Sequence, residues 1–402
     1  MHVLTISCGT YDGSVFALEY RPNEASSAGP CILKPILVDP SAHGGSVGAL
    51  AISDGIVASG SADEVIQLFS LPLRSKLGSL ELHTGTVRQL EFSIKTQNTG
   101  VSHLISISDD STIAIWRRDL KDGDPKSATP NHWECIRVMR RHKGPVRSLA
   151  LHPSNRCAFS ISDDKTFRVW NLLRGRQSYA TRLKVIADGA QSVSCSPSGR
   201  RLLFIWPNRF DVIDLNFGDR QSDDSVSSDS PLGLRLGCVH FEQPMSASPV
   251  FFSEDDYDQS PDDPSAVTQD NTALFVFLLA GTGPFLNAFR CPLPPTFKSK
   301  GGHAENLGQI KLPGKRIKEL RVLSWPYELP SYTRRHRLVV AATTSVTGSH
   351  IRGYAVNLDA FKHVEPGDSF LPVFLYDVAG ARVTSLAVDW MEESDQIDVP
   401  EK

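Results

Sequence analysis

Ser160-Ile161-Ser162-Asp163-Asp164-Lys165-Thr166-Phe167-Arg168-Val169-Trp170 decides the fold, because the chain writes it three times. The other copies are Ser106-Ile107-Ser108-Asp109-Asp110-Ser111-Thr112-Ile113-Ala114-Ile115-Trp116 and Ser59-Gly60-Ser61-Ala62-Asp63-Glu64-Val65-Ile66-Gln67-Leu68-Phe69. Each sets an Asp six residues before an aromatic, with a strand on either side of a tight turn. Terminal aromatics 47 and then 54 residues apart mark a repeat protein, whose units bury their apolar faces against one another.

Each copy is led by a His, a Gly and a short apolar run: His43-Gly44-Gly45-Ser46-Val47, His83-Thr84-Gly85-Thr86-Val87 and His142-Lys143-Gly144-Pro145-Val146. Alternating apolar residues read as strands and the intervening Gly, Pro and Asp as turns, which makes the unit four short antiparallel strands. The polar stretch 119–131 is expected to be an exposed, mobile loop. Beyond residue 180 the signature decays while the strand rhythm continues. Residues 192–199, 202–205 and 210–214 supply a fourth unit, 236–241, 273–280 and 285–289 a fifth, and 317–322, 338–342 and 350–356 a sixth. Stretches 219–231 and 253–270, rich in Ser, Asp and Pro, cannot bury enough apolar surface to order themselves and read as acidic disordered insertions. Residues 382–390 resemble a first strand without successors, and 4–9, 14–19 and 31–38 later strands without a first. Pairing the ends builds a seventh unit from 1–40 plus 380–391, which closes a ring and removes exposed edges. The expectation is one domain over 1–391 with a flexible tail at 392–402.

The 402 residues are 40% hydrophobic and 22% charged, a globular composition. The longest apolar run, 273–280, is far short of the roughly 20 residues of a membrane helix, and the N-terminus lacks a secretory pattern, so no membrane association is expected. Seven scattered cysteines without a C-x-x-C pair read as free thiols. The net charge of −3 is uneven: 219–229 and 254–270 hold eleven acidic residues and one basic, leaving 41 basic against 34 acidic elsewhere. A mildly basic body with acidic loops tolerates an acidic or RNA-rich neighbour.

In these features the chain resembles the WD-repeat proteins. The resemblance implies an all-β fold, a seven-bladed WD-repeat β-propeller whose ring is closed by N-terminal strands pairing with a C-terminal strand. It also implies hydrogen-bonded chains of His142, Ser160, Asp164 and Trp170, of His83, Ser106, Asp110 and Trp116, and of His43, Ser59 and Asp63, where Phe69 lacks the indole N–H. A Ser, a His and an Asp together raise hydrolytic chemistry, but a triad is built once per active site and this set recurs, so no enzyme is expected. With no phosphate loop or H-E-x-x-H, neither cofactor, metal nor small-molecule substrate is expected; His350 and His363 read as solvent-facing or locally satisfied. By the same resemblance Thr86, Arg88, Pro145 and Arg147 flank the first strand at the narrow face, together with Asp109 and Asp163. Basic clusters at Arg140, Arg141 and Lys143 and at Arg334, Arg335, His336 and Arg337 are candidates for contacts with acidic protein or RNA backbone. Solvated surface charge is the competing reading of each.

The lead-in Trp133-Glu134-Cys135-Ile136 and the exit Trp170-Asn171-Leu172-Leu173-Arg174-Gly175-Arg176 are more specific than the general repeat. They resemble the p21-activated-kinase-interacting family, relatives of the maintenance-of-killer ribosome assembly factor. That resemblance implies a monomeric, non-enzymatic scaffold in the nucleus and nucleolus. Its partners would be precursor (pre-60S) assembly factors and precursor rRNA, in large ribosomal subunit assembly and rRNA processing. The alternative is a signalling adaptor that binds and restrains a p21-activated kinase. Two departures stand out: the acidic insertions, and a C-terminus without the Lys-rich tail common in that family.

Overall fold

The computed structural model describes residues 2–22, 31–94, 103–118, 133–183, 190–215, 234–240, 250–253, 275–292, 305–325, 336–357 and 371–392. Four strands open the chain: β1 (His2–Thr10), β2 (Val15–Tyr20), β3 (Cys31–Ile32) and β4 (Lys34–Asp39). The three signature copies lie in β5 (Val47–Ser53), β6 (Ile56–Ser61), β7 (Val65–Ser70) and β8 (Ser75–Glu81), then β9 (Val87–Phe92), β10 (His103–Ser108), β11 (Ile113–Arg118) and β12 (Trp133–Met139), then β13 (Val146–Leu151), β14 (Cys157–Ser162), β15 (Thr166–Asn171) and β16 (Arg176–Arg182). Each quartet is one antiparallel sheet paired in chain order. The diverged half repeats the plan in β17 (Ser192–Cys195), β18 (Arg201–Trp206), β19 (Arg209–Asp214) and β20 (Leu234–His240), then β21 (Val250–Ser253), β22 (Phe275–Thr282), β23 (Phe285–Pro292) and β24 (Glu305–Lys311). The sixth sheet holds β25 (Arg316–Ser324), β26 (His336–Thr344), β27 (Gly348–Asn357) and β28 (Phe374–Ala379).

The last strand, β29 (Val383–Glu392), joins the first: its sheet runs β29-β1-β2-β4, with Leu4 opposite Trp390 and Ile6 opposite Val388. Seven blades therefore make a propeller closed by the two ends of the chain. Apolar residues interleave between the blades. Phe167 and Phe204 of neighbouring sheets meet edge to face at 5.4 Å, and Trp170, 1% exposed, clusters with Leu149 of its own sheet and with Ile105 and Ile115 across the preceding seam. Burying one such side chain stabilises by about 1.5–3 kcal/mol, so the seams hold the ring.

Two expectations need correction. The stretch 31–38 is not one strand. Cys31 and Ile32 pair in parallel with β28 of the neighbouring blade, the Cys31 N–H donating to Val373 O at 3.0 Å, and only Lys34–Asp39 completes the closing sheet. Leu33, 2% exposed among Tyr20, Trp325 and Phe374, draws the chain across the seam. Residues 236–241 do not open the fifth blade either. Leu234–His240 pairs with β19 as the outer strand of the fourth, whose three-stranded sheet would otherwise present an open edge, and the fifth blade opens with Val250–Ser253.

Because neighbouring strands are antiparallel, successive connections alternate between the faces of the ring. One face carries the short turns after each second strand and the links from blade to blade, none longer than nine residues. Every connection of ten or more residues begins and ends at the other face, including those that contain 219–231 and 254–270. The innermost strands surround a channel of about 870 Å³, lined by residues of β5, β9, β13, β17, β25 and β29. The stretches 119–131, 219–231, 254–270 and 393–402, with Arg334, Arg335 and His363, lie outside the described residues.

Candidate functional site

On the short-turn face each signature copy ties its turn to the blade beneath. His142 lies 3.1 Å through Nδ1 from Asp164 Oδ2 and 2.7 Å through Nε2 from Ser160 Oγ, which accepts the Trp170 indole N–H at 2.7 Å. His83 repeats this with Asp110 at 2.9 Å and Ser106 at 2.7 Å, and Trp116 donates to Ser106 at 2.9 Å. His43 reaches Asp63 at 3.0 Å and Ser59 at 2.8 Å, and Phe69 leaves that Ser without its indole donor. One proton arrangement satisfies the full chains: Nδ1–H donates to the carboxylate, Nε2 accepts the hydroxyl proton, and the hydroxyl oxygen accepts from indole.

The electrostatics match this neutral imidazole. Burial, opposed by the carboxylate, holds the pKa of His43 and of His142 below the ordinary value. Burial alone would raise the Asp164 carboxyl, but donors from Thr166, the Lys143 N–H and His142 bring it down to about 2. Asp110 is lowered further by His83, Thr112 and the Thr84 N–H against the same burial. The hydroxyl contacts imidazole in all three copies, and in two of them, Ser106 and Ser160, it also accepts from indole, which ties the turn, the second strand and the third strand together.

Around the braces, Arg88 pairs bidentately with Asp109 at 2.8 and 2.5 Å, and Arg147 with Asp163 at 2.6 and 2.5 Å. The partly exposed pairs flank the channel mouth beside Thr86 and Pro145. Arg140, Arg141 and Lys143 are all exposed on the link from β12 to β13. Of the second basic cluster, Arg337 is buried within β26, where consecutive residues on both faces of the strand are buried; the side chains of Arg334, Arg335 and His336 lie outside the described residues. His350 is half-buried, 3.5 Å from Asp377. Among the described residues no group of His, Cys, Asp and Glu could hold a metal ion, and Cys8, Cys31, Cys135, Cys157 and Cys195 are free thiols.

Several contributors escape a reading of the repeat alone. Thr112 and Thr166 each donate their hydroxyl to the turn Asp at 2.6 Å, a link the Val65 copy lacks. Gln89 clasps the channel-side edge of the next blade, donating to Leu149 O at 2.7 Å and accepting the Leu149 N–H at 2.9 Å, while Ser148 accepts the Val193 N–H at 3.2 Å. In the fourth-blade turn Asp211 accepts from the Trp206 indole at 3.0 Å and from Arg209 at 2.7 Å, with the guanidinium 5.3 Å from the Trp206 ring. That cluster braces the hairpin of β18 and β19. Only the i, i+2 spacing of Arg209 and Asp211 beside a Trp hinted at it.

Comparison with known proteins agrees with this architecture. Residues 133–171 match the family described as "WD domain, G-beta repeat". The chain is 32% identical over 238 residues to the p21-activated protein kinase-interacting protein 1-like of Gallus gallus, covering 59% of this chain and 56% of that protein. It is 32% identical over 215 residues to the p21-activated protein kinase-interacting protein 1 of Homo sapiens, covering 53% and 49%. Protein MAK11 of Saccharomyces cerevisiae is 34% identical over 153 residues, covering 36% and 34%. The matches span about half the length, or less, of these relatives.

Proposed function

We propose, from its seven-bladed ring, its WD-repeat match and its likeness to the p21-activated protein kinase-interacting proteins and Protein MAK11, that the chain is a non-enzymatic scaffold in assembly of the large ribosomal subunit and processing of precursor rRNA, in the nucleolus. One observation carries the non-catalytic part of this reading: the Ser, His and Asp side chains that could have formed an active site are consumed in three equivalent braces. The short-turn face is the docking surface in this reading, with Arg88, Asp109, Arg147, Asp163, Arg140, Arg141 and Lys143 as the candidate contacts. The tagged protein is expected to co-sediment with precursors of the large subunit, and its depletion to accumulate unprocessed precursor RNA. A protein absent from those particles would refute the reading.

A second reading rests on the names of the relatives, which are kinase-interacting or kinase-binding proteins. Here the chain is an adaptor that binds a p21-activated kinase and lowers its activity. Purified protein should then inhibit the kinase directly, and unchanged kinase turnover at saturating protein would remove this alternative.

A further inference from the structure

We propose that the link from β12 to β13 and the adjoining top of the β13–β16 blade form a preorganised cationic ledge that binds an acidic polypeptide segment of a partner protein. This deepens the scaffold reading by naming the chemistry of one contact, and it stands or falls by its own measurement.

Five cations share the ledge. Arg140, Arg141 and Lys143 lie on the link, Lys165 in the turn between β14 and β15, and Arg182 at the end of β16; all are exposed, and no ion pair is formed by any of them among the described residues. Lys165 and the end of β16 are held together, the Leu183 N–H donating to Lys165 O at 2.9 Å. The anions nearby are already committed. Asp164 is occupied by His142, Thr166 and the Lys143 N–H, and Asp163 by the bidentate Arg147. Among the described residues the local field is therefore positive without internal neutralisation.

The backbone under these charges is fixed. Lys143 N–H is anchored to Asp164 at 2.9 Å, Gly144 O accepts from Ser162 Oγ at 2.8 Å, and Pro145 O accepts the Asp163 N–H at 3.0 Å. A guest pays only for ordering the long side chains, not the loop. The chain's own acidic stretches 219–231 and 254–270 leave and rejoin the ring at the opposite face, so the ledge faces away from their anchoring points.

Polypeptide is favoured over RNA by the inner end of the ledge. There Asp163, 41% exposed, stands beside Arg147. A phosphodiester chain of uniform charge crossing toward the channel would meet there a paired, net-neutral couple with no free cation, whereas a polypeptide can set a neutral residue against it. The rings offered by the β13–β16 blade are also poor stacking platforms: Trp170 and Phe167 are buried, and Tyr179 lies mid-strand at the outer rim, away from the ledge.

The test uses the full chain and a fluorescein-labelled peptide of alternating Glu and Ser, followed by anisotropy, with an RNA oligonucleotide of matched charge as a second arm. The triple variant Arg140→Ser, Arg141→Ser, Lys143→Ser is expected to weaken peptide binding at least about tenfold, near 1.4 kcal/mol, at an unchanged melting temperature. Arg316→Ser with Lys318→Ser, on another blade, should leave binding unchanged. No binding by the wild type, or equal binding by the triple variant, overturns the proposal. RNA binding more tightly than peptide through the same three residues overturns it in favour of nucleic acid. Self-association abolished by the triple variant would replace the partner with a second copy of the chain. Loss of particle association with intact peptide binding would refute the scaffold reading alone.

Discussion

Asp164 is the most heavily used side chain of its blade, and its replacement shows what a brace is worth. Asp164→Ala strands the His142 Nδ1–H, the Thr166 hydroxyl and two backbone N–H groups at once, and is expected to cost about 3 kcal/mol by denaturant unfolding. Trp170→Phe removes one donor and part of a filled seam, and about 1–2 kcal/mol is expected. Acid acts on the same residues. His43 and His142 are held neutral in the fold with pKa values below 6.5, so the unfolded chain gains more protons as pH drops through 6.5, and stability falls there. Glu91 has the opposite sign. Its burial at the β9–β13 seam pushes its pKa up to about 7 from 4.5 despite the Leu151 N–H, so its ionisation erodes stability as pH rises from 4.5 through 7. Glu91→Gln keeps an acceptor for Leu151 and should raise the melting temperature near pH 8 while leaving it unchanged near pH 4. Equal effects at both values would rule out ionisation as the cause. Of these residues the braces were legible because they recur. Glu91 and Gln89 were not, since their roles depend on which strand of the next blade they face.

Strands were easiest to read where the polar turn repeats and hardest where only apolar rhythm remains. The assignment failed at 236–241 because an apolar run carries no mark of whether it ends one blade or begins the next. The connection from Asp214 to Leu234 is also too long to mark the two strands as neighbours. It failed at 31–38 because a two-residue pairing leaves no periodic trace. That small strand has its own consequence: Cys31–Ile32 fastens the closing blade to its neighbour outside the β29–β1 ladder. Cys31→Pro removes the N–H that binds Val373 and is expected to lower the melting temperature by several degrees, with hydrogen exchange rising in β28 before other strands. Uniform exchange across all blades would mean that the clasp carries no separate weight.

For the whole molecule, the seven-blade count was legible only because orphan strands at the two ends could complete one sheet, whereas the division of labour between the faces needed the strand directions. The β29–β1 ladder runs from Thr10 opposite Val383 to His2 opposite Glu392, so the two ends of the folded chain lie side by side in one sheet. Removing 383–392 takes out an inner strand and is expected to abolish the cooperative transition instead of trimming a tail. Joining the ends should do the reverse. A short linker from Glu392 to His2 would turn the ladder into a hairpin, and new termini opened at the turn 71–74 would leave every sheet paired. Such a circular permutant is expected to melt within a few degrees of the parent: the ring has no first blade, and where translation begins is a matter of numbering.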